Sequence, residues 1–469
     1  MADTGIKLYY KNVTAQVIGE EHSINNEQFN DLAERTAPLI TQLKQERDAG
    51  KTPYRELPYN TGLAAQVKQL ANELKANCEN LVVLGIGGSA LGNIALQTAL
   101  NTYMHNIDEK QRLGPRLFVF DNVDPDQLSS FLKWIEDKLD KTVFNVISKS
   151  GRTAETAAQF LIVRKLLLDK FGPDGLKEHV VATTDPKEGT LRKIADESKL
   201  KCLEVPEGVG GRFSVLSAVG LFSAAMCGID IDSLLEGARD MDKRVSETDF
   251  YKNPAALNAA IQYHYYNHGK RMSVIMPYSY ALKDLADWFR QLWAESLGKA
   301  KDLSGSEVHI GPTPVKALGT TDQHSQVQLY REGPNDKLFT FLHVSNFENR
   351  LEIGPNPESA PELDYLAAKD LGELFNSEKQ ATEYALLQDK RPCLTILFDR
   401  VNAYTVGQFI YLYEVTTSFA GALFNINTYD QPAVELGKEA TFALMGCKGF
   451  EQLAEKITPF TELDKEYLL

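Results

Sequence analysis

The sequence predicts an α/β fold of two lobes, in which each lobe is a mainly parallel sheet sandwiched by helices. The chain has 469 residues, more than a single hydrophobic core usually serves. Short runs of β-branched and aromatic residues alternate with helical segments, which is the pattern of a parallel sheet covered on both faces. These runs end in turns rich in glycine and polar residues, where α/β sheets collect their ligands.

The strands of the first lobe are predicted from four apolar runs, and three similar runs predict strands of the second lobe. Helices are expected at residues 90–100, 281–298 and 406–423. The predicted strands are residues 80–84, 116–120, 143–147, 179–183, 272–276, 338–344 and 394–398.

Around these lobes we expect helical segments at both ends of the chain. The predicted division is an N-terminal helical segment at 1–60, a first lobe at 61–235, a second lobe at 236–435 and a C-terminal helical tail at 436–469. The first lobe contains the glycine-rich and polar turns described below, and the second contains the candidate acid–base carboxylate.

Charge and cysteine usage narrow the class of protein. Fifty Lys and Arg against 64 Asp and Glu give a net charge of −14, which disfavours nucleic acid and anionic membranes as partners. Five scattered cysteines form neither a disulfide framework nor a metal-binding knuckle, so a reducing, cytoplasmic location is expected. Residues 213–229 are apolar but rich in Ser, Ala and Gly, which favours a buried helix over a membrane span.

The first glycine-rich turn is GIGGS at residues 85–89. Gly88 and Ser89 open a helix, where a backbone without Cβ atoms lets a ligand approach unpaired N–H groups. The spacing is not that of a dinucleotide-binding turn, and no phosphate-loop lysine follows, so a nucleotide is not indicated. A tight packing turn is the alternative.

The densest group of hydrogen-bond donors follows the strand at 143–147. Hydroxyls, cations and backbone N–H groups at a helix start are what a phosphate monoester requires. A capped surface helix with solvated charges is the alternative. The group comprises Ser148, Lys149, Ser150, Gly151, Arg152 and Thr153.

Acid–base candidates are scattered over the rest of the chain. Glu295 and Gln291 are neighbours on one predicted helix, and Glu295 lies near the helix end, where a carboxylate gains nothing from the dipole. His324 lies in a polar turn, and its imidazole could protonate a ring oxygen. Lys438 could partner it, and Arg212 could stabilise developing negative charge. Each of these has an alternative as a solvated or structurally paired residue, and spacing alone does not bring them together.

Six motifs taken together resemble, in this order, the conserved blocks of the glucose-6-phosphate isomerase (phosphoglucose isomerase) family. They span residues 85–438, most of the chain, and GGRFS and YDQPAVELGK are the most distinctive. The motifs are GIGGSALG, SKSGRTAET, VGGRFSVLSAVGL, QLWAESLGK, GTTDQHSQ and YDQPAVELGK.

The resemblance implies two lobes of the sugar-isomerase type and no metal or cofactor. It also implies reversible conversion of glucose 6-phosphate to fructose 6-phosphate through a cis-enediolate, a reaction of glycolysis and gluconeogenesis. It implies a homodimer in which His324 reaches into the neighbour's site. By motif, Glu295 matches the proton-carrying base, His324 and Lys438 the ring-opening groups, and Arg212 the residue near the enediolate oxygen. The matching substrate contacts are Ser148, Lys149, Ser150 and Thr153 for the phosphate, and Gly88, Ser89 and Gln291 elsewhere.

One position departs from the family pattern. Related bacterial sequences resemble SKSGTT, whereas this chain has Arg152 at the fifth position. Its side chain adds a cation if it faces the phosphate, and only its backbone N–H contributes if it faces water. Two other functions remain open at this point: a sensor of sugar phosphates, which would not need Glu295, His324 and Lys438 together, and an isomerase of another hexose phosphate.

Overall fold

A computed structural model describes residues 5–469 of the chain. It contains two five-stranded sheets and a two-stranded ribbon. The strands are β1 (Lys7–Tyr9), β2 (Asn80–Leu84), β3 (Arg116–Phe120), β4 (Thr142–Ile147), β5 (Val180–Thr184), β6 (Lys201–Glu204), β7 (Met272–Tyr278), β8 (Lys299–Lys301), β9 (Glu307–Ile310), β10 (Thr313–Lys316), β11 (Lys337–Val344) and β12 (Cys393–Phe398).

Helices cover both faces of each large sheet and form the C-terminal tail. The α-helices in the described residues are α1 (Ala15–Ile18), α2 (Asn26–Asp48), α3 (Thr61–Lys75), α4 (Leu91–Leu100), α5 (Pro125–Ile135), α6 (Ala154–His179), α7 (Thr190–Glu197), α8 (Ala218–Met226), α9 (Ile231–Val245), α10 (Pro254–Asn267), α11 (Lys283–Leu297), α12 (Val327–Glu332), α13 (Leu371–Gln388), α14 (Ala403–Leu423), α15 (Glu435–Leu444) and α16 (Glu451–Thr461).

The first sheet has the strand order β3-β2-β4-β5-β6, and every pair is parallel. Its apolar strands β2 and β4 are fully buried, which explains why they read as continuous apolar runs. The edge strand β6 has the sequence KCLE and is only partly buried, so it gives no apolar run and was not predicted.

The second sheet has the order β1-β12-β11-β7-β10. Four of its strands are parallel, but β1 pairs antiparallel with β12, with Lys7 opposite Leu397. The prediction that the N-terminal segment is helical is therefore wrong at residues 7–9. Three residues on a sheet edge carry too little periodicity to be recognised in sequence.

The largest core cluster fills the space between the two sheets, and two smaller clusters cover the remaining sheet faces. Helix α14 is buried almost throughout and packs against α9, α10 and α11, so it lacks a polar face. Helix α8 is the predicted buried helix.

In the part of the chain that the structure describes, no helix is long and apolar enough to cross a bilayer. The predicted fold class of two helix-covered parallel-sheet lobes is confirmed.

Strand order explains where the first lobe opens. Strand β2 has β3 on one side and β4 on the other, so the connections leaving β2 and β4 diverge at their carboxyl ends. Such a switch point leaves a crevice for ligands. The two turns that border it are residues 85–89 and 148–153, and α11 of the second lobe packs on α4 beside it.

Candidate active site

A cleft of about 1110 Å³ lies between the lobes at this switch point. It brings together turns of the first lobe, helix α11 of the second lobe and the start of the C-terminal tail. The predicted site residues that line it are Gly88, Ser89, Ser148, Lys149, Ser150, Arg152, Thr153, Arg212, Gln291, Glu295 and Lys438.

The turn at residues 148–153 is held together by hydrogen bonds from its backbone N–H groups to its own serine hydroxyls. Ser148 Oγ accepts a hydrogen bond from the backbone N–H of Gly151 at 3.0 Å, and Ser150 Oγ accepts from the N–H of Arg152 at 3.2 Å. Gly151 does not itself line the cleft, but its φ of +66° and its packing on Leu191 exclude a side chain. The sequence therefore folds this segment into a compact turn with its hydroxyls on the cleft side.

Helix α6 starts directly after this turn without a side-chain cap. Thr153 holds the N-cap position, yet its hydroxyl makes no capping hydrogen bond. The capped-helix alternative from the sequence is therefore not what the structure shows. The N–H groups of the first turn are left for a ligand, and the helix dipole favours an anion there.

Thr156 is a cleft residue outside the predicted set. It lies within the first turn of α6, is 2% exposed, and its Oγ1 has no hydrogen-bond partner among residues 5–469. A buried hydroxyl without a partner is rare unless a water or a ligand satisfies it. Its position one helical turn after Thr153 is the sequence signal that could have identified it.

The glycine turn forms the floor of the cleft. A Cβ on Gly88 would lie 2.2 Å from the backbone of Gly211, so two chain segments meet there at a distance that only glycine allows. This contact places the 85–89 turn against the segment that carries Arg212. The turn therefore packs tightly, as the packing alternative requires, and it also lines the cleft.

Glu295 enters the cleft from the last turn of α11. One face of this helix is buried: Leu285, Trp288, Phe289 and Leu292 are at most 2% exposed. Glu295 and Gln291 project from another face, and Gln291 Nε2 donates to Glu295 Oε1 at 3.1 Å. The Oε1 of Gln291 is buried without a partner in the described residues, which leaves an acceptor for a ligand hydroxyl.

Arg212 is the buried centre of the site, with its side chain 2% exposed. Its pKa is lowered by burial, and the attraction of Glu295 acts in the opposite direction. Its five N–H donors meet five acceptors, so the guanidinium is held in one orientation. The acceptors are Ser296 Oγ at 2.7 Å, Glu295 Oε2 at 3.3 Å, Gln431 Oε1 at 2.7 Å, Thr428 O at 2.7 Å and Asp430 O at 3.2 Å.

The two groups matched to ring opening lie apart. Lys438 lines the cleft from α15, where its Nζ donates to Glu435 Oε1 at 2.7 Å. His324 is exposed, lies in a turn of the second lobe and does not line the cleft of its own chain. One chain therefore brings together every predicted catalytic residue except His324.

Comparisons with known proteins agree with this architecture. The phosphoglucose isomerase family profile matches residues 64–445. A glucose-6-phosphate isomerase from Carboxydothermus hydrogenoformans is 45% identical over 96% of this chain and 97% of its own length. One from Rubrobacter xylanophilus is 44% identical over 79% of this chain and 83% of its own.

Solved structures match over nearly the whole chain as well. A Thermus thermophilus protein described as hypothetical has a TM-score of 0.82 at 34% identity, covering 94% of this chain and 100% of its own. A glucose-6-phosphate isomerase from Chlamydia trachomatis has a TM-score of 0.81 at 22% identity, covering 97% of this chain and 92% of that one. At that identity the second likeness shows the shared fold alone.

The two-lobed fold, and a cleft that holds a carboxylate together with a turn rich in hydrogen-bond donors, fit an isomerase of phosphorylated sugars. The chain belongs to the phosphoglucose isomerase family, as the matches over most of its length show. Its activity is the interconversion of glucose 6-phosphate and fructose 6-phosphate, so the prediction from the motifs is confirmed at the level of family and reaction.

Proposed function

We propose that Glu295 carries out the isomerisation by moving a proton between C1 and C2 of the open-chain sugar phosphate through a cis-enediolate. The observation that carries this proposal is that Glu295 and the Ser148–Thr153 turn share one cleft, although they come from different lobes. A phosphate held at the turn leaves the carbonyl end of the sugar free to extend toward α11. The reaction belongs to glycolysis and gluconeogenesis.

Binding of the phosphate is assigned to the turn and the start of α6. The hydroxyls of Ser148, Ser150 and Thr153 and the Lys149 side chain supply donors to its terminal oxygens, together with uncapped helix N–H groups. The backbone N–H groups of Gly151 and Arg152 are drawn from their present Ser acceptors toward the anion. The unpartnered Oγ1 of Thr156 supports this assignment, because a phosphate oxygen would satisfy it.

Proton transfer needs a base next to the carbon and a positive group next to the oxygen. Glu295 is one-third exposed, so a substrate carbon can reach it, and Arg212 lies beside it. As the proton leaves C2 of the aldose, negative charge develops on the carbonyl oxygen, and the fixed guanidinium stabilises it. Gln291, Gly88 and Ser89 are assigned to orienting the sugar hydroxyls.

Ring opening is assigned to Lys438 and to His324 of a second copy of the chain. Lys438 already lines the cleft, whereas His324 is exposed and does not line the cleft of its own chain. A homodimer with shared sites would bring the imidazole to the ring oxygen. The exposed apolar side chains of the C-terminal tail, including Met445 at 81% and Phe460 at 86% exposure, support burial against a partner.

We propose a cytoplasmic location for the protein. All five cysteines are free, which fits a reducing compartment. The net charge of −14 gives no basis for binding nucleic acid or an anionic membrane, so the proposed partners are the hexose phosphate and a second copy of the chain.

The test is a coupled assay with fructose 6-phosphate that measures glucose 6-phosphate formation for the wild type and Glu295→Gln. We expect the variant to lose at least ~10²-fold in kcat, because the amide cannot accept the proton. Its binding of the sugar phosphate, measured by calorimetry, should remain. In D₂O the wild type should incorporate deuterium at the transferred position and the variant should not. Near-normal turnover by Glu295→Gln would overturn the proposal.

A further inference from the structure

Lys299 is a buried cation beside the cleft that does not line it. It is the first residue of β8, two positions after α11 ends, and its side chain is 6% exposed. A lysine with so little exposure must find acceptors for its three donors. It donates to two backbone carbonyls and lies near one carboxylate, and all three groups belong to residues of the active site or their neighbours.

The first acceptor ties Lys299 to Glu295. Lys299 Nζ donates to the backbone carbonyl of Glu295 at 2.7 Å. This carbonyl is one of the last four in α11, which have no partner within the helix, and a cation is favoured at that end. The lysine therefore fixes the helical turn from which the proposed base projects.

A hydrogen bond and an ion pair with Asp430 join Lys299 to the segment opposite α11. Its Nζ donates to the Asp430 carbonyl at 2.9 Å and lies 3.6 Å from Asp430 Oδ1. The same carbonyl accepts from Arg212 Nη2 at 3.2 Å. Asp430 directly precedes Gln431, which receives a second hydrogen bond from Arg212. Lys299 and Arg212 thus hold one peptide from two sides.

Holding this arrangement with a second buried cation carries an electrostatic penalty. Burial lowers the pKa of Lys299 first, and the positive charge of Arg212 lowers it further, while Asp430 and Glu295 oppose both effects. Buried ion pairs are weak contributors to stability compared with apolar packing, so stability alone does not account for a lysine here. A requirement for one fixed geometry does account for it.

We propose that Lys299 is a positioning residue for the isomerisation, which locks the Glu295 turn of α11 to the Asp430–Gln431 segment so that Glu295 and Arg212 keep one geometry. This inference rests on the proposed role of Glu295. Lys299 acts through the two peptides it binds and never touches the sugar. Removal of the Lys299 ammonium should slow the proton transfer without weakening phosphate binding, since the Ser148–Thr153 turn lies on the other lobe.

The test compares Lys299→Met, which keeps the length of the side chain, with Lys299→Arg, which keeps a cation and its donors. We expect Lys299→Met to lose about 10- to 100-fold in kcat, the effect of a small displacement of reacting groups. The KM for fructose 6-phosphate and the inhibition constant of inorganic phosphate should stay close to the wild-type values. Lys299→Arg should recover most of the lost kcat. Lys301→Met, on the same strand but exposed, is the control and should behave as wild type.

The outcomes separate the two proposals. Wild-type kcat in Lys299→Met overturns the positioning role, and so does a joint loss of phosphate binding, kcat and melting temperature, which indicates only a folding defect. Failure of Lys299→Arg to recover any activity also counts against it. Glu295→Gln is measured in parallel: if that variant stays active, the proposed base is wrong and the positioning role falls with it, whereas an inactive Glu295→Gln beside a fully active Lys299→Met overturns Lys299 alone.

Discussion

Arg212 Nη1 lies 3.3 Å from Glu295 Oε2 and donates to it, while the same guanidinium is held by four other hydrogen bonds. The carboxylate is thus paired with a cation that cannot move away, yet it keeps one-third of its surface exposed. A general base needs to be both ionised and reachable. The open side of the carboxylate lets a substrate carbon reach it, and the paired guanidinium places a positive group beside the reacting carboxylate.

Replacing Arg212 by Lys should therefore impair the reaction more than substrate binding. An ammonium supplies three donors for five acceptors and lacks the planar geometry that spans Glu295 and Gln431. We expect kcat to fall about 10²- to 10³-fold, the range seen when a donor to a developing oxyanion is removed. Steady-state kinetics with fructose 6-phosphate measures this.

Arg239→Lys, on α9 with a hydrogen bond to the carbonyl of Pro58, serves as the control for the same chemical change away from the cleft. It should retain wild-type kinetics. An Arg212→Lys variant with wild-type kcat would remove the guanidinium from transition-state stabilisation.

Arg152 lies in the turn proposed to bind the phosphate; it is exposed and lines the cleft. We expect Arg152→Thr to raise KM for fructose 6-phosphate and leave kcat nearly unchanged, because the lost cation acts on the phosphate in ground and transition states alike. Lys165→Thr, at an exposed cation of α6 that does not line the cleft, should change neither constant. Equal falls in kcat and kcat/KM for Arg152→Thr would instead indicate a role in the transition state.

Shared sites in a homodimer predict complementation between two inactive variants. A Glu295→Gln subunit has no base in its own cleft but offers an intact His324 to its partner. A His324→Ala subunit has an intact Glu295 that can receive this histidine. A mixed dimer therefore contains one complete site, although each parent dimer contains none.

After denaturation and refolding of an equimolar mixture, random pairing should restore about one quarter of wild-type sites. The coupled assay on the mixture and on each parent measures this. A mixture that is no more active than its parents, with dimers present by ultracentrifugation, would show that His324 serves its own chain or no site at all.

Much of this fold can be predicted from sequence because buried parallel strands are continuous apolar runs. Residues 80–84 and 116–120 were predicted with the bounds that the structure gives. The short edge strands β1 and β6 were not, because half-exposed strands of three or four residues carry no such run. That β1 joins the sheet of the second lobe could not be inferred, since its partner β12 lies almost 390 positions further along the chain.

The candidate site, like the fold, is only partly predictable from the sequence. The phosphate turn is contiguous, so its donors can be counted in the sequence from Ser148 to Thr153. The surroundings of Arg212 cannot, because Glu295 and Gln431 are 83 and 219 positions away and only the folded backbone brings them together. Lys299 was missed for the same reason, since its acceptors on Glu295 and Asp430 are backbone carbonyls that leave no trace in residue type.

Asp242 ties the N-terminal segment to the core. Burial favours its neutral form, but hydrogen bonds from Tyr411 and Arg55 outweigh this and lower its pKa. Arg47 also binds the carboxylate. We expect Asp242→Asn to reduce the free energy of unfolding by about 3–5 kcal/mol, because it leaves the buried Arg55 without its counter-charge. Urea unfolding measures this.

The matched control for Asp242→Asn is Asp232→Asn on the same helix, whose ion pair with Lys68 is exposed on both sides. Its loss should be at most about 1 kcal/mol. Equal effects of the two substitutions would show that the buried network contributes no more than a surface pair. The Asp242 variant should keep its KM, because this carboxylate does not line the cleft.

The lowered pKa of His264 predicts that the folded protein loses stability in mild acid. It is buried in α10 and stacked on His268, with ring centroids 4.0 Å apart. Burial lowers the pKa of His264 to about 4, and the neighbouring His268 charge acts in the same direction. In the unfolded chain the pKa is ordinary, about 6.5. Between these values the unfolded state binds the proton more tightly, so stability is complete above about pH 6.5 and falls as the pH drops toward 4.

The loss over this window should be about 3 kcal/mol in the free energy of unfolding. His264→Phe keeps a ring of similar size without a titrating group, so its stability should fall less between pH 7 and pH 4.5, while at pH 7 it stays near the wild type. Urea midpoints at a series of pH values measure the difference. His309→Gln, an exposed histidine, should follow the wild-type curve. Parallel curves for the wild type and His264→Phe would mean that His264 takes up its proton without opening the fold.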